Sequence, residues 1–167
     1  ELSFSGLSVT MPLKEEVMPF LDRLDPESFK IGAVNTLLFK EDQIFGFNTD
    51  GVGGINVLES LGQVRGKKIV MIGAGGASKA IAYEANKRGA LLTILNRDEK
   101  KAHQLAKSLH CIGKGLDYLQ TCVEDGYDIL INCTSAAFPT NSDHILKKAI
   151  VMDITTKPKE TSLLKIA

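Results

Sequence analysis

Short apolar runs alternate with helix-like periodic stretches through the second half of the chain. The clearest example is KKIVMIGAGGASKAIAYEANKRGALLTILNR, residues 67–97. Residues 69–72 are apolar without alternation, which is typical of a strand buried on both faces of a parallel sheet. A glycine-rich turn, a helical pattern that ends near Gly89 and a second strand at residues 90–96 follow. A strand, turn, helix and strand within about 30 residues predict a right-handed βαβ unit.

Other segments extend this pattern in both directions. YDILINCTS (residues 127–135) and AIVMDITTKP (residues 149–158) are predicted to be strands of the same sheet. Near the start, residues 7–11 predict a strand and residues 15–21 a short helix, and AVNTLLFK and QIFGFNTD predict two strands joined by EDQ. A helix through residues 55–61 then leads into the βαβ unit. These first elements suit a small α/β domain that precedes a nucleotide-binding one.

Composition limits the classes of partner. The 167 residues are 44% hydrophobic and 24% charged, and 20 basic residues balance 20 acidic ones. This balance gives no reason to expect nucleic acid or a membrane surface as a partner, and no apolar run approaches the roughly 20 residues of a membrane span. The three cysteines include no CxxC pair, which favours a reducing, cytoplasmic location. The three histidines lack metal-ligand spacing, so no metal site is expected.

Both ends of the sequence lie inside predicted elements. ELSFSGLSVT begins in strand-like sequence without a methionine, and TSLLKIA stops in the first turns of a predicted helix. We therefore expect the chain to be a piece of a longer protein, with surfaces that only look exposed because they face its other segments.

The turn after the first buried strand of the βαβ unit carries a dinucleotide fingerprint. Gly73 permits the sharp turn, and Gly75 lets the backbone approach a pyrophosphate. Ser78 stands at the third position of G-x-G-x-x-G, where a small residue permits close helix–strand packing. The N–H groups and the positive end of the helix dipole then face the phosphates. Because the motif lies inside a complete βαβ unit, it predicts dinucleotide binding; the alternative is a structural turn with no ligand.

The tip of the second strand distinguishes NAD from NADP. NAD-binding proteins usually carry an acidic residue about 20 residues after the glycines, where it binds the ribose 2′-OH. Here NRDEKKA places Asn96 and Arg97 at that position, and a planar guanidinium can stack on adenine and bind a 2′-phosphate bidentately. Lys101 could reach the same phosphate from the next helix, and Asp98 is predicted to be the N-cap of that helix. NADP is therefore the expected cofactor.

The carboxyl ends of parallel strands line the ligand crevice in such sheets. Thr134 and Ile154 belong to the ends of two predicted strands and are therefore expected beside the cofactor. No histidine stands near Cys133 in the sequence, so we interpret this cysteine as a small buried residue rather than a nucleophile.

A lone lysine such as Lys14, at the tip of a predicted strand, would ordinarily be a solvated residue that opens a helix.

Six motifs in a fixed order resemble those of the shikimate dehydrogenases: GLSVTMPLK, GAVNTL, GFNTDGVG, IGAGGASKA, LNR and DITTKPKETSLLK. The resemblance covers essentially the whole chain, and several motifs in order are more specific than the glycine turn alone. The expected fold class is α/β, with a Rossmann-like doubly wound parallel sheet plus part of a smaller α/β substrate domain. The expected domains are a partial substrate-binding domain with its connecting helix at 1–62, an NADP-binding domain at 63–155, and the start of a returning segment at 156–167.

The resemblance also implies an activity. Members of this family reduce 3-dehydroshikimate to shikimate with NADPH, reversibly, in the shikimate pathway of aromatic amino-acid biosynthesis. Such an enzyme takes a small-molecule substrate. It could be free-standing, as a monomer or a homodimer, or fused to a 3-dehydroquinate dehydratase domain.

Matching positions carry the site residues that the resemblance implies. Lys14 matches the catalytic lysine of the family, and Asp50 matches the aspartate that pairs with it across the substrate. Thr10 and Asn35 match groups that bind the ring hydroxyls of the substrate. The remaining matches concern the cofactor: the pyrophosphate loop (Gly73, Ala74, Gly75, Gly76 and Ala77), the 2′-phosphate clamp (Asn96, Arg97 and Lys101) and a backbone contact to the nicotinamide at Ile154.

Three features depart from the family pattern. Thr156 stands where the family usually has a tyrosine that contacts the substrate carboxylate, and the shorter threonine would make this contact poorly or through water. The Ser-x-Ser motif that grips the carboxylate belongs before Glu1, and a glutamine of the closing segment belongs after Ala167. We therefore expect this chain alone to bind shikimate weakly and to turn over little.

Three other functions compete with this one. A quinate/shikimate dehydrogenase of broader specificity could use NAD, which Arg97 argues against. A non-catalytic or regulatory dinucleotide-binding module would keep the fold, but Lys14 and Asp50 argue against it. A methylene-tetrahydrofolate dehydrogenase has a similar architecture, but its lysine motif does not match TMPLK with NTDG.

Overall fold

The computed structural model describes residues 4–135 and 141–167, which form two β-sheets with helices packed against them. The strands are β1 (Gly6–Ser8), β2 (Arg23–Leu24), β3 (Thr36–Lys40), β4 (Gln43–Phe47), β5 (Lys68–Ile72), β6 (Leu91–Leu95), β7 (Ile112–Lys114), β8 (Ile129–Asn132) and β9 (Ile150–Asp153). The α-helices are α1 (Pro26–Ile31), α2 (Asp50–Leu61), α3 (Gly76–Lys87), α4 (Glu99–Leu109), α5 (Leu119–Asp125) and α6 (Ser162–Ile166). Short 3₁₀ turns lie at Met18–Phe20, Leu116–Tyr118 and Ser142–His144.

The larger sheet is parallel throughout, in the order β7–β6–β5–β8–β9. The chain runs outward from β5 to β7 and then crosses back to add β8 and β9 on the other side. Strand order therefore reverses at β5, and ligands of such sheets bind outside the carboxyl ends of the strands at this point. Ile72 ends β5, with Leu95 and Asn132 as its neighbours across the sheet. This topology confirms the expected Rossmann-like α/β class.

The central strand β5 is buried on both faces, as its unbroken apolar sequence predicts. Ile69 and Met71 pack into a core cluster with residues of α2, α3 and α4, and both are at most 1% exposed. Val70 and Ile72 point to the other face, where they pack with Leu163 of α6. Helices thus cover both faces of the sheet.

The smaller sheet has the order β1–β3–β4–β2. β3 and β4 form the predicted hairpin, and Lys40 pairs with Gln43 across its turn. The two turn residues, Glu41 and Asp42, have φ values of 53° and 57°, the left-handed conformation that matches the twist of a two-residue hairpin. β1–β4 fall within residues 1–62 and β5–β9 within 63–155, but the domain boundaries themselves stay a prediction.

Helix α2 connects the two sheets and packs closely on α3. A Cβ at Gly51 would lie 2.4 Å from the carbonyl oxygen of Ala80, so the absence of a side chain lets the helices approach. Arg88, directly after α3, donates from Nε to Glu84 at 2.8 Å and from Nη1 to Glu59 of α2 at 2.5 Å. Glycine packing and this ion network together hold α2 in place.

Two predicted elements near the start of the chain are wrong in type or length. The predicted helix at 15–21 is a series of turns with a 3₁₀ turn at Met18–Phe20, since Pro19 has no N–H to continue an α-helical ladder. The predicted strand at 7–11 ends as β1 at Ser8, because a turn closed by the Leu13 N–H and the Thr10 carbonyl begins beyond it. The predicted strands at 127–135 and 149–158 likewise end earlier, at Asn132 and Asp153.

No element was predicted at α1, although its sequence carries the signals. Asp25 caps the helix by accepting from the N–H groups of Glu27 and Ser28, at 3.1 and 3.0 Å. Pro26 fills the first position, and Gly32 ends the helix with φ 70°.

Among the residues that the structure describes, no helix combines the length and apolar character needed to cross a membrane.

Candidate active site

Lys14 and Asp50, 36 residues apart in sequence, form an ion pair next to the glycine turn. The Nζ of Lys14 lies 2.5 Å from Oδ2 of Asp50, and the two side chains are only 17% and 25% exposed. Lys14 lies in the turn region after β1, where its carbonyl oxygen accepts from the Val34 N–H at 2.7 Å. Asp50 is the first residue of α2, and the amino end of a helix favours a negative charge.

Asn35 holds the other oxygen of the aspartate. Its Nδ2 donates to Oδ1 of Asp50 at 2.7 Å and to Oγ1 of Thr49 at 3.0 Å. Its Oδ1 accepts from the Thr49 N–H at 3.1 Å. The N–H of Asp50 in turn donates to Oδ1 of Asn48 at 3.0 Å. The carboxylate is therefore fixed on both oxygens, and sequence reasoning missed Asn48 and Thr49, although both lie in the GFNTDGVG motif.

The glycine turn brings helix α3 against Lys14. Gly73 has φ 117°, and a Cβ there would lie 3.0 Å from both the Cys133 carbonyl oxygen and the Ser78 hydroxyl. Gly75 faces open space, with no atom within 4 Å of a Cβ placed there. A Cβ at Gly76 would lie 3.3 Å from the Cβ of Lys14, so the lysine packs directly on the first turn of α3.

Two cavities meet at this turn. The arginine cavity, of about 550 Å³, is lined by residues that include Ala74, Gly75, Asn96, Arg97 and Lys101. The lysine cavity, of about 400 Å³, is lined by residues that include Thr10, Lys14, Gly75, Gly76, Ala77, Thr134, Ile154 and Thr156. Gly75 and Glu15 belong to both linings. Gly73 is buried behind the turn. Asn35 and Asp50 line neither cavity; Asp50 is joined to the lysine cavity by its ion pair with Lys14, and Asn35 by its hydrogen bond to Asp50.

An ion pair that sequence reasoning missed crosses the arginine cavity. Lys79 of α3 donates to Oε2 of Glu15 at 2.6 Å, and both residues line the cavity. Lys79 therefore adds a third cation to Arg97 and Lys101 around one space. Its position one turn into the helix after the glycine motif is the sequence signal that could have found it.

Asp98, which also lines the arginine cavity, directs its carboxylate to the start of α4. Its carboxylate accepts from the Lys100 N–H at 3.1 Å and caps α4, as predicted. Asn96 donates from Nδ2 to the Asp98 carbonyl oxygen at 2.9 Å, which orders the strand tip that carries Arg97. The arrangement provides positive charge and N–H donors suited to phosphate groups.

The cysteines are not suited to nucleophilic chemistry. Burial raises the pKa of Cys133 to about 12 and that of Cys111 to about 11, so both are thiols at neutral pH. Within residues 4–135 and 141–167, no group of three or more histidine, cysteine, aspartate or glutamate residues could hold a metal ion.

Comparisons with known proteins identify the family of the chain. The family model "Shikimate dehydrogenase substrate binding domain" matches residues 1–37, and "Shikimate / quinate 5-dehydrogenase" matches residues 56–167. The chain is 44% identical to shikimate dehydrogenase (NADP(+)) of Pyrococcus furiosus, over 99% of this chain and 62% of that protein.

Solved structures give the same result. Shikimate dehydrogenase from Aquifex aeolicus superposes with a TM-score of 0.89 at 36% identity, over 98% of this chain and 62% of that one. The enzyme from Thermus thermophilus, in complex with NADP(H) and shikimate, gives a TM-score of 0.88 at 31% identity, over 99% of this chain and 64% of that one. The chain thus spans less than two thirds of the length of these relatives. With its parallel sheet, its glycine turn and a family match over most of its length, the chain belongs to the shikimate/quinate 5-dehydrogenase family.

Proposed function

We propose that the protein carrying this chain catalyses the reversible, NADPH-dependent reduction of 3-dehydroshikimate to shikimate. The observation that carries the proposal is the Lys14–Asp50 pair, 2.5 Å apart, which lies directly on the glycine turn of the parallel sheet. The named activity of the Pyrococcus relative supports the reaction, and the Thermus complex with NADP(H) and shikimate supports the pair of ligands.

NADP fits the geometry of this chain. The open space over Gly75 and its place in both cavity walls would let an extended dinucleotide pass from one cavity into the other. Asn96, Arg97 and Lys101 would hold the 2′-phosphate in the arginine cavity, and the N–H groups of the first turn of α3 would hold the pyrophosphate. Thr134 and Ile154 would border the nicotinamide in the lysine cavity. When bound, NADPH supplies the hydride, and the protein supplies position and charge.

Lys14 supplies the charge that a ketone reduction requires. The carbonyl oxygen gains negative charge as the hydride arrives, and an ammonium group at hydrogen-bond distance stabilises that charge and can pass a proton to it. Asp50, held by Asn35 and Asn48, keeps the ammonium directed and can accept from a hydroxyl of the substrate. Either Lys14 or Asp50 could be the group that moves the proton.

Substrate contacts are proposed on both sides of the lysine cavity. Thr10 lies on the same side as Lys14, and Thr156 lies among the residues that follow β9. Asn35 would bind a ring hydroxyl while it orients Asp50. Because Thr156 is shorter than tyrosine, its contact to the substrate carboxylate would be weak or water-mediated.

The test is a spectrophotometric assay of the complete protein, with shikimate and NADP⁺ as substrates. Lys14→Ala and Asp50→Asn should each lower kcat by about 10²–10⁴-fold, the usual contribution of a general acid or base. Lys40→Ala, at the tip of the β3–β4 hairpin, is the matched control and should leave kcat unchanged. A Lys14→Ala protein with a normal kcat would contradict the proposed role of the lysine.

The same assay separates the competing functions. NADP⁺ bound by the wild-type protein without turnover of shikimate or quinate would indicate a non-catalytic dinucleotide-binding module. Faster turnover of quinate with NAD⁺ than of shikimate with NADP⁺ would indicate a quinate/shikimate dehydrogenase of broader specificity.

A further inference from the structure

Two polar side chains join the ends of β8 and β9 next to the lysine cavity. Asn132 and Asp153 are the last residues of these strands and lie opposite each other in the parallel register. The Nδ2 of Asn132 donates to Oδ1 of Asp153 at 3.1 Å. Asn132 is fully buried at the end of a strand that is otherwise apolar. Burying an amide costs free energy unless its hydrogen bonds are made. An apolar side chain would fill this position without that requirement, so the presence of the polar pair calls for an explanation beyond packing.

The same two side chains fix the turns that follow the strands. The N–H and the hydroxyl of Thr134 both donate to Oδ1 of Asn132, at 3.0 and 2.8 Å. The N–H of Thr155 donates to Oδ1 of Asp153 at 3.0 Å, and its hydroxyl donates to the Thr134 carbonyl oxygen at 3.3 Å. Each turn is therefore attached to the pair, and the two turns are attached to each other.

These turns form one wall of the lysine cavity. Residues 133–135 and 154–156 line it opposite Thr10 and Lys14, and none of these six residues lines the arginine cavity. The hydrogen-bonded pair therefore determines the shape of the wall facing the catalytic lysine. It has no contact with the space around Arg97.

We propose that Asn132 and Asp153 are a positioning pair for the half of NADP that carries the nicotinamide. This inference rests on the proposed function. The pair acts through Thr134 and Thr155, so it affects how the nicotinamide half binds and reacts. It leaves the adenosine half, which the arginine cavity would hold, unaffected.

A swap of the two side chains tests the pair. Asn132→Asp places two carboxylates against each other and removes the donor between them. Asn132→Asp/Asp153→Asn restores one amide and one carboxylate, and it leaves an acceptor for the N–H groups of Thr134 and Thr155. Equilibrium binding of NADP⁺ and of 2′,5′-ADP, which lacks the nicotinamide half, is measured together with kcat on the complete protein.

We expect Asn132→Asp to weaken NADP⁺ binding and to lower kcat, each by about tenfold, because misplacement of a reacting group by an ångström has effects of this size or larger. Its Kd for 2′,5′-ADP should stay within about twofold of wild type, and the double variant should recover most of the loss. Asp128→Asn is the matched control, since Asp128 accepts from Lys67 and Lys68 at the opposite end of the sheet. This control should leave both Kd values and kcat unchanged.

Several results would overturn the assignment. An Asn132→Asp protein that is less stable but binds NADP⁺ and turns over normally would leave the pair a structural role only. Equal weakening of NADP⁺ and 2′,5′-ADP, or no recovery in the double variant, would show general distortion. Wild-type protein that binds neither compound would overturn the proposed function and this inference together, whereas normal wild-type binding with an unaffected variant overturns the inference alone.

Discussion

Arg97 is the side chain on which the proposed cofactor preference depends most. It is exposed at the tip of β6 and lines the arginine cavity with Lys101 and Lys79. Loss of a charged hydrogen bond costs about 1.5–3 kcal/mol, so Arg97→Ala should raise the KM for NADP⁺ by about 10–100-fold. The KM for NAD⁺, which has adenine but no 2′-phosphate, should rise much less. Lys107→Ala, which removes an exposed cation of α4 that lines neither cavity, is the control.

An unchanged KM for NADP⁺ in Arg97→Ala would show that the phosphate is held by other groups. Lys79 would then be the first candidate, because its ammonium lies in the same cavity beside Glu15.

Cys133 gives a prediction about pH. Burial raises its pKa from 9.0 to about 12, so the folded protein holds the proton that an unfolded thiol would lose above pH 9. Reaction with a disulfide reagent such as dithionitrobenzoate should therefore be slow at pH 8 and should accelerate about tenfold per pH unit. Absorbance of the released thiolate measures this, with guanidinium-unfolded protein as the fully reactive control. Fast reaction of Cys133, which is half-buried at the lysine cavity, in folded protein at pH 8 would contradict its raised pKa.

At the scale of single residues, the sequence predicts the chemistry of a position better than the side chains that it contacts. The end of the second strand of a βαβ unit is where the ribose of a dinucleotide is recognised. Asn96 and Arg97 stand there in place of an acidic residue, and a positive charge at this place indicates NADP. Nothing local indicates that Glu15 meets Lys79, because that contact depends on how two distant segments pack. The Asn132–Asp153 pair was missed for the same reason.

Among the elements, helix α2 contains three glycines, and two of them have opposite requirements. A Cβ at Gly51 would lie 2.4 Å from a backbone oxygen of α3, whereas a Cβ at Gly53 would meet no atom within 4 Å. Gly51→Ala should lower the free energy of unfolding by about 1–3 kcal/mol through overpacking. Gly53→Ala should raise it by about 0.5–1 kcal/mol, because alanine favours the helix interior. Urea denaturation of both variants measures these changes, and equal effects would show that α2 and α3 do not pack this closely.

Elements marked by apolar runs and turn residues are predictable from the sequence. Elements whose type depends on one backbone group, such as a missing N–H, are harder to predict. The βαβ unit and the β3–β4 hairpin follow from apolar runs and turn residues. The segment at residues 15–21 has helical composition, but the missing N–H of Pro19 allows only a 3₁₀ turn. Helix α1 shows the opposite error, because Asp25 and Gly32 mark its ends but only six residues lie between them.

For the whole molecule, the ion network around Arg88 joins the connecting helix α2 to the nucleotide-binding half. Glu84 is nearly buried, at 5% exposure, and Arg88 is its nearest cation. Arg88→Met should lower the free energy of unfolding by about 2–3 kcal/mol, somewhat less than the loss of one partner of a fully buried pair. Lys67→Met breaks the exposed pair with Asp128 and should cost at most about 1 kcal/mol. Thermal unfolding of the two variants compares these costs.

If the loss in Arg88→Met comes from a stranded charge, a second change should reverse part of it. Glu84→Gln in the same protein removes the buried carboxylate, which without Arg88 keeps only the more distant Lys87 at 3.6 Å, and should restore part of the stability. An additive loss in the double variant would contradict this explanation.

The whole-molecule arrangement of the site was predictable only through the resemblance. No periodicity or spacing brings Lys14 to Asp50 across 36 residues, because the contact requires both sheets and α2 to be in place. The order of the six motifs indicated that Lys14 and Asp50 belong to one site, and the structure gives the distance of 2.5 Å between them.

The contact between Gly76 and Lys14 has a consequence for anyone redesigning this protein. A methyl group at position 76 would compete with the lysine side chain for the same volume, at 3.3 Å. Changes at the β6 tip would therefore alter cofactor preference without crowding Lys14, whereas a library that randomises position 76 will select mostly for glycine. Swapping in a nucleotide turn from another dehydrogenase would succeed only if the donor turn carries glycine at this point.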